Sequence, residues 1–307
     1  MNKIICIAGP TASGKTALSI ALAKELDGEV VSCDSMQVYK YMDIGTAKPT
    51  VAERDGIPHH MLDVAEPYED FSVSRYCEMA APIVDDIIAR GKTAIIAGGT
   101  GLYMDALIRG NDFAPFPSTG VRQQLEQQPI EEVYARLQQV DPEAAARLHL
   151  ADKKRIIRAM EVYLETGETI TAHNRKTQAL PPRYSPVWFG LSDENRQDLY
   201  DRIDLRVNKM VELGLLEEIK TLLDRGIPEK STAMQAIGYK EFLQVFHGND
   251  TAENAISQVQ QASRKYAKRQ LTWFRRNSAM NWLLRTPQMG TEEILLQARR
   301  ILLKNDN

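Results

Sequence analysis

The chain has 307 residues, 43% hydrophobic and 26% charged, which excludes a disordered or fibrous polymer and fits one large α/β core with an insertion, or two domains. Its net charge of −3 excludes nucleic-acid binding by bulk charge, so any RNA contact must come from local clusters of basic residues. Cys6, Cys33 and Cys77 lie too far apart for a zinc motif or a secreted disulfide framework, no signal-peptide layout opens the chain, and no apolar run could span a bilayer; a reducing, cytoplasmic setting without a membrane partner is expected.

Ile4 to Ala8 is a short, continuously apolar run followed by Gly-Pro, the pattern of a parallel strand buried on both faces. Helical spacing of Leu18, Ala21, Leu22 and Leu26 then predicts a helix from about Gly14, with Gly28 as its C-terminal stop before a second strand at Val30 to Cys33. Ala94 to Ala97, ahead of Gly98-Gly99, and Val187 to Leu191 read as further strands. Strands alternating with helices predict a parallel sheet flanked by helices.

Between the proline-rich stretches Ala114 to Pro117 and Leu180 to Pro182 only helices are legible, and residues 113–185 are expected to form an inserted all-helical domain. Residues 1–112 and 186–307 form the expected catalytic core. Inside the insertion, Asp141-Pro142 reads as an N-cap followed by a first-turn proline, and Asp152 as a second N-cap. From Asp201 onward the pattern is again mainly helical, through Ile203, Val207, Met210 and Val211, then from Ala252 to about Arg276. His59-His60 lack the company of a metal motif and are expected to make structural contacts, while Trp273 and Trp282 are expected to fill core.

Gly9-Pro10-Thr11-Ala12-Ser13-Gly14-Lys15-Thr16 matches G-x-x-x-x-G-K-[ST] between the first strand and helix, the context this P-loop motif requires. Backbone amides would converge on phosphate oxygens, Lys15 would add a point charge, and the Thr16 hydroxyl could ligate Mg²⁺. The motif leaves open which diphosphate binds and which bond breaks, and the phosphates of ATP would also fit. The core is therefore expected to be P-loop nucleoside-triphosphatase-like. In a parallel sheet the C-terminal strand ends share one edge, which puts Asp34 and Thr100 beside the cradle. Asp34 is a candidate base, with turn capping or outer-sphere Mg²⁺ ligation as the competing roles.

Five blocks carry a more specific likeness: Asp34-Ser35-Met36-Gln37-Val38-Tyr39, Asp43-Ile44-Gly45-Thr46-Ala47-Lys48-Pro49, Gly98-Gly99-Thr100-Gly101-Leu102-Tyr103, Ile237-Gly238-Tyr239-Lys240-Glu241, and Ala267-Lys268-Arg269-Gln270-Leu271-Thr272-Trp273-Phe274. With them, over nearly its full length, the chain closely resembles the tRNA dimethylallyltransferases, also called tRNA isopentenyltransferases. The end soon after Lys304, with no Cys/His zinc-finger extension, matches the bacterial type. The resemblance implies an Mg²⁺-dependent transfer of a dimethylallyl group from dimethylallyl diphosphate to N6 of the adenosine 3′ of a tRNA anticodon; a monomer is expected, although the sequence itself leaves the oligomeric state open. It makes Asp34 the general base, puts Thr100 beside the reacting atoms, and sets Arg206 against the diphosphate; Arg206 on its own reads equally as part of a helical charge pattern. It also implies tRNA contacts at Asp34, Ser35, Met36, Gln37, Thr100, Arg122, Lys154, Arg155, Ile156, Ile157 and Arg158.

The charge distribution points the same way. Arg147 to Arg183 holds eight Lys/Arg against four Asp/Glu, and Arg264 to Arg276 holds six against none. Lys265, Lys268, Arg269, Thr272 and Arg276 have the spacing of one helix face able to meet phosphates. Three rival activities share parts of this pattern: an ATP-dependent small-molecule kinase, a prenyltransferase acting on free adenylate, and an RNA-binding module with a purely structural P-loop.

Overall fold

The computed structural model describes residues 4–110 and 119–305. They form two compact units, one of residues 1–108 with 184–307 and one of 109–183, against the 113–185 expected for the insertion. The Ala114 to Pro117 boundary signal lies outside the described residues.

The larger unit is built on six parallel strands: β1 (Ile4–Ala8), β2 (Gly28–Ser32), β3 (His59–His60), β4 (Thr93–Gly98), β5 (Val187–Asp193) and β6 (Met280–Arg285), in the order β3-β2-β4-β1-β5-β6. Its helices are α1 (Lys15–Glu25), α2 (Val51–Arg54), α3 (Val73–Ala89) and α4 (Gly101–Arg109). After the helices of the smaller unit, namely α5 (Val121–Glu126), α6 (Ile130–Val140), α7 (Pro142–Arg147), α8 (Lys153–Thr166) and α9 (Ile170–Ala179), come α10 (Arg196–Glu212), α11 (Leu215–Asp224), α12 (Lys240–Phe246), α13 (Ala252–Phe274) and α14 (Thr291–Asn305). No helix among the described residues is long and apolar enough to cross a membrane.

Strand alternation sorts the core. Ile5 and Ile7 of β1 join Leu18 and Leu22 of α1 and Ile294, Leu295 and Ala298 of α14 on one face. Cys6 and Ala8, one residue out of phase, join Tyr76 and Val84 of α3, Met104 of α4 and Phe274 of α13 on the other. Trp273 and Trp282 both pack against that second cluster. The sheet is thus covered on both faces, which is why its strands read as unbroken apolar runs.

Three local expectations change. Gly28 does not stop α1: Asp27 takes the left-handed turn (φ 45°), and Gly28 begins β2, where a Cβ would come within 3.0 Å of Thr93 O. Asp152 occupies the cap position of α8 but accepts no cap hydrogen bond; its carboxylate takes the His149 N–H at 3.3 Å. The mainly helical reading after Asp201 missed β6, a short run that becomes a strand by pairing along its length with β5. His59 and His60 form the edge strand β3, with His59 Nδ1 against Ile57 O at 2.9 Å and His60 Nε2 on Glu29 at 2.8 Å.

In the smaller unit, Leu125, Val133, Leu137, Ile156, Ile157 and Met160 make the core. Asp141 does cap α7, accepting the Ala144 N–H at 3.0 Å, and its carboxylate also takes the N–H and hydroxyl of Thr171 at 3.0 and 2.8 Å. Burial raises its pKa, but these hydrogen bonds outweigh burial and hold it below the usual carboxylate range.

Candidate active site

The loop between β1 and α1 turns through left-handed backbone at Ala12 (φ 60°) and Gly14 (φ 93°), which aims successive amides at a common centre. The first turn of α1 carries no acidic residue, so its positive end is free to meet an anion. Lys15 is folded back over the loop, its Nζ donating to Pro10 O at 2.7 Å, while Thr16 is exposed. Two elements far away in sequence brace the loop: Arg202 of α10 donates to Ala12 O at 3.1 Å, and Gln270 of α13 accepts the Thr11 N–H at 3.0 Å. Ser13 differs from its neighbours. Its hydroxyl is buried without a partner and borders a cavity of about 20 Å³ shared with Leu18, Leu191 and Arg285, room for one water.

The acidic edge is set by the sheet. Ser32 of β2 pairs with Ala97 of β4, the Cys33 N–H donates to Ala97 O at 2.8 Å, and the Thr100 N–H donates to Cys33 O at 3.2 Å. That close passage demands glycine at 98, where a Cβ would fall 1.9 Å from Cys33 O. Asp34 and Thr100 therefore emerge together at the C-terminal strand ends. Asp34 Oδ1 accepts the Met36 and Gln37 N–H groups at 2.8 and 3.3 Å, so it does cap the following turn. Thr100 Oγ1 accepts the Ser35 N–H at 3.0 Å and bonds Ser35 Oγ at 3.3 Å.

Electrostatics joins loop and edge. Burial, then repulsion from Arg206, lowers the Lys15 amine to about 8, with Asp34 pulling the other way. Burial likewise lowers the Arg206 guanidinium of α10, and Asp34 again opposes the shift. Asp34, Lys15 and Arg206, from three separate elements, thus act on one another's charge. Tyr266 of α13 completes the edge: burial, with the Asp34 charge adding to it, raises its phenol to about 12, and the neighbouring Thr100 hydroxyl opposes the shift. The Arg269 guanidinium stands 5.5 Å from the centre of its ring. Sequence reasoning assigned no role to Arg202, Tyr266 or Gln270; for the last two the only available signal was their place in a motif block or basic stretch read for its charges.

The other expected contacts separate by exposure. Ser35 and Met36 are half-buried beside Asp34, whereas the Gln37 amide is taken up internally, accepting from Ser32 Oγ at 3.0 Å and donating to Thr46 O and Ala47 O at 3.2 Å each. In the smaller unit Lys154 and Arg155 are exposed, but Ile156 and Ile157 are 0% and 7% exposed. Helical period turns those two into the core, so their side chains cannot meet RNA, and the expectation for this segment narrows to Lys154, Arg155 and Arg158. Arg158 is bonded to Glu161 at 2.8 Å, and Arg122 to Glu126 and Glu161 at 3.2 and 3.5 Å. Lys265, Lys268, Arg269 and Thr272 of α13, and Arg276 just past its end, are all exposed.

Comparison with known proteins places these features in a family. The model of the IPP transferase family matches residues 37–277. The chain is 45% identical over 305 residues to a tRNA dimethylallyltransferase of Carboxydothermus hydrogenoformans, covering 97% of both chains, and 47% identical over 282 residues to one of Anoxybacillus flavithermus, covering 92% of this chain and 90% of that one. The structure of a full-length tRNA isopentenylpyrophosphate transferase from Bacillus halodurans superposes with a TM-score of 0.75 at 41% identity, covering 99% of this chain and 97% of that one. A eukaryotic dimethylallyltransferase solved acting on tRNA superposes with a TM-score of 0.87 at 31% identity, covering 100% and 79%. The family match begins after the phosphate loop and Asp34, so the likeness there rests on these near-full-length relatives.

Proposed function

The chain belongs to the IPP transferase family, and from that premise we propose that it transfers a dimethylallyl group from dimethylallyl diphosphate to N6 of the adenosine 3′-adjacent to the anticodon in tRNA, giving N6-(dimethylallyl)adenosine. The observation that carries the reading is that the phosphate loop and the Asp34 and Thr100 edge meet at one end of the sheet, with Gln270 bonded to Thr11 on one side and Gly99 on the other, and with Lys15 and Arg206 near enough to Asp34 to feel its charge. A carboxylate with two cations beside a phosphate loop suits a reaction that releases a proton at one end and diphosphate at the other.

The donor's diphosphate lies in the cradle of Gly9 to Thr16, with Lys15 turned from Pro10 O onto its oxygens. The allylic carbon–oxygen bond breaks with its electron pair going to diphosphate, where Lys15, Arg206 and the amides at the start of α1 stabilise the growing charge. The N6 lone pair forms the new carbon–nitrogen bond, and its proton passes to Asp34, whose Oδ1 bonds to backbone hold the carboxylate in place. Thr100 borders the reacting region. Since a stacked base cannot reach this edge, the adenosine must be turned out of the anticodon loop, and Ser35 and Met36 stand where it would enter.

Mg²⁺ belongs to the same reading. Among the described residues no cluster of three His, Cys, Asp or Glu side chains could hold a metal alone, but the exposed Thr16 hydroxyl at the head of α1 fits a cation that takes its other ligands from diphosphate and water. There the ion would neutralise charge on the leaving group. Lys154, Arg155 and Arg158, with Arg122, and the basic face of α13 are the proposed tRNA contacts. The proposed working unit is a monomer, acting on tRNA in the cytoplasm.

The test is incubation with dimethylallyl diphosphate, Mg²⁺ and unmodified tRNA carrying adenosine 3′ of the anticodon, with AMP and ATP controls, followed by nucleoside mass analysis. Prenylated adenosine from tRNA alone is expected. Prenylated AMP would select the free-nucleotide rival, and γ-phosphate transfer from ATP the kinase.

A further inference from the structure

Beyond Ala8 and Gly98 the neighbouring strands β1 and β4 part, one into the phosphate loop and the other toward Thr100, and no ladder bond ties the two exits. One buried side chain spans the gap. Gln270, 5% exposed, accepts the Thr11 N–H at 3.0 Å and donates from Nε2 to Gly99 O at 2.9 Å. Gly99 makes room for it, since a Cβ there would sit 2.1 Å from Nε2. One turn along α13, Trp273 grips the next part of the same segment: its indole N–H donates to Asp105 of α4 at 2.8 Å, and its ring lies where a Cβ on Gly101 would be, 2.3 Å from Cδ1.

We propose that Gln270 is a positioning residue that sets the distance between the diphosphate cradle and the Asp34 and Thr100 edge. The proposal rests on the donor and acceptor roles given above to those two elements. A neutral amide offers a donor and an acceptor on one rigid fork at any working pH, as this gap requires; an ionised carboxylate keeps the acceptor and loses the donor, and an aliphatic chain loses both. The reaction joins a carbon held by the cradle to a nitrogen held at the edge, so the span governs turnover more than donor affinity. The Thr11 N–H is taken up by Gln270, so the diphosphate is left to the other amides of the loop and the cradle stays competent without this bond.

The test uses the full-length Gln270→Leu and Gln270→Glu variants, with turnover per folded molecule, KM for dimethylallyl diphosphate and thermal unfolding all measured on saturating tRNA. Gln270→Leu is expected to lower kcat by about 10²-fold, the scale of a misplacement near 1 Å, with donor KM little changed. Gln270→Glu is expected to recover turnover as pH falls, because a protonated carboxyl again donates to Gly99 O, and wild type should show no such recovery. A Leu variant with wild-type kcat, or a loss confined to melting temperature or donor KM, overturns the proposal. So does a Glu variant that tracks the wild-type pH profile, a readout that stands even if the Leu variant fails to fold. Wild-type prenylation of tRNA in the same assay separates this failure from failure of the functional reading.

Discussion

Carboxylates flank the two ends of strand β2, one just inside its start and one just past its finish, and the fold treats the two in opposite ways. Glu29, near its start, is enclosed by two cations and an imidazole: Arg90 reaches it with both terminal nitrogens at 2.5 and 2.9 Å, Lys92 at 3.1 Å and the His60 ring at 2.8 Å. The hydrogen bonds from Arg90, above all, hold it well below the usual carboxylate range despite its burial. Asp34, two residues past the other end, is tied through Oδ1 to backbone amides, with Lys15 and Arg206 near enough to feel its charge. An acid whose partners close around it serves stability; one fixed by backbone, with cations that feel its charge but do not bond it, is left for chemistry.

Asp34→Asn should break the functional end most deeply. Asparagine keeps an Oδ1 to cap Met36 and Gln37 but cannot take the N6 proton, so transfer should fall by about 10²- to 10⁴-fold while the melting temperature holds. Single-turnover transfer to tRNA measures it, and an undiminished rate would remove Asp34 from the mechanism.

Glu29→Gln is the mirror experiment. It leaves Arg90 and Lys92, both partly exposed, facing a neutral amide and should destabilise the larger unit by about 1.5–3 kcal/mol in urea unfolding, the scale of hydrogen bonds to a charged group, without changing turnover per folded molecule. The sign with pH follows from the depressed folded pKa: the stabilisation is present above the unfolded value of about 4.3 and is lost as pH falls through the folded one. The wild type should therefore lose stability in acid, and the variant should lack that part of the slope. A large kcat defect in Glu29→Gln would erase the division between the two ends.

How far such divisions can be read from sequence depends on their range. Asp34, Thr100 and the phosphate loop were legible because a parallel sheet brings strand exits to one edge, a rule needing no coordinates. Gln270 and Arg202 were not, since what marks them is a contact across 259 and 190 residues with Thr11 and Ala12. Strand β6 was lost for a similar reason: only pairing with β5 makes Met280 to Arg285 extended. Ile156 and Ile157 show the converse error, where a motif block carried over whole ignored that consecutive helix positions face different ways.

Arg206→Gln sharpens the functional end from its cationic side. Losing one preorganised charge against the leaving group should cost about 10²- to 10³-fold in kcat, less than the base at its upper range. Arg206 is itself disfavoured by burial, so its removal should leave stability unharmed or improved. Equilibrium unfolding and kcat measured on one preparation would expose a merely structural arginine, because both would then fall together.

The smallest effect extends the contrast between enclosed and open charges to the helical unit. Arg122 is paired with Glu126 and Glu161, whereas Lys154 and Arg155 stand exposed at the head of α8. If open cations meet RNA and paired ones hold the fold, Lys154→Ala should weaken tRNA binding about evenly across sequences and reduce the slope of log K against log salt by about 1. Arg122→Ala should change that slope less, since its charge is already largely compensated by two carboxylates. Filter binding of unmodified tRNA over a salt series compares the two directly. Equal slopes for both variants would mean that RNA recruits Arg122 away from its carboxylates, and pairing in the free protein would then be no guide to which cations the substrate uses.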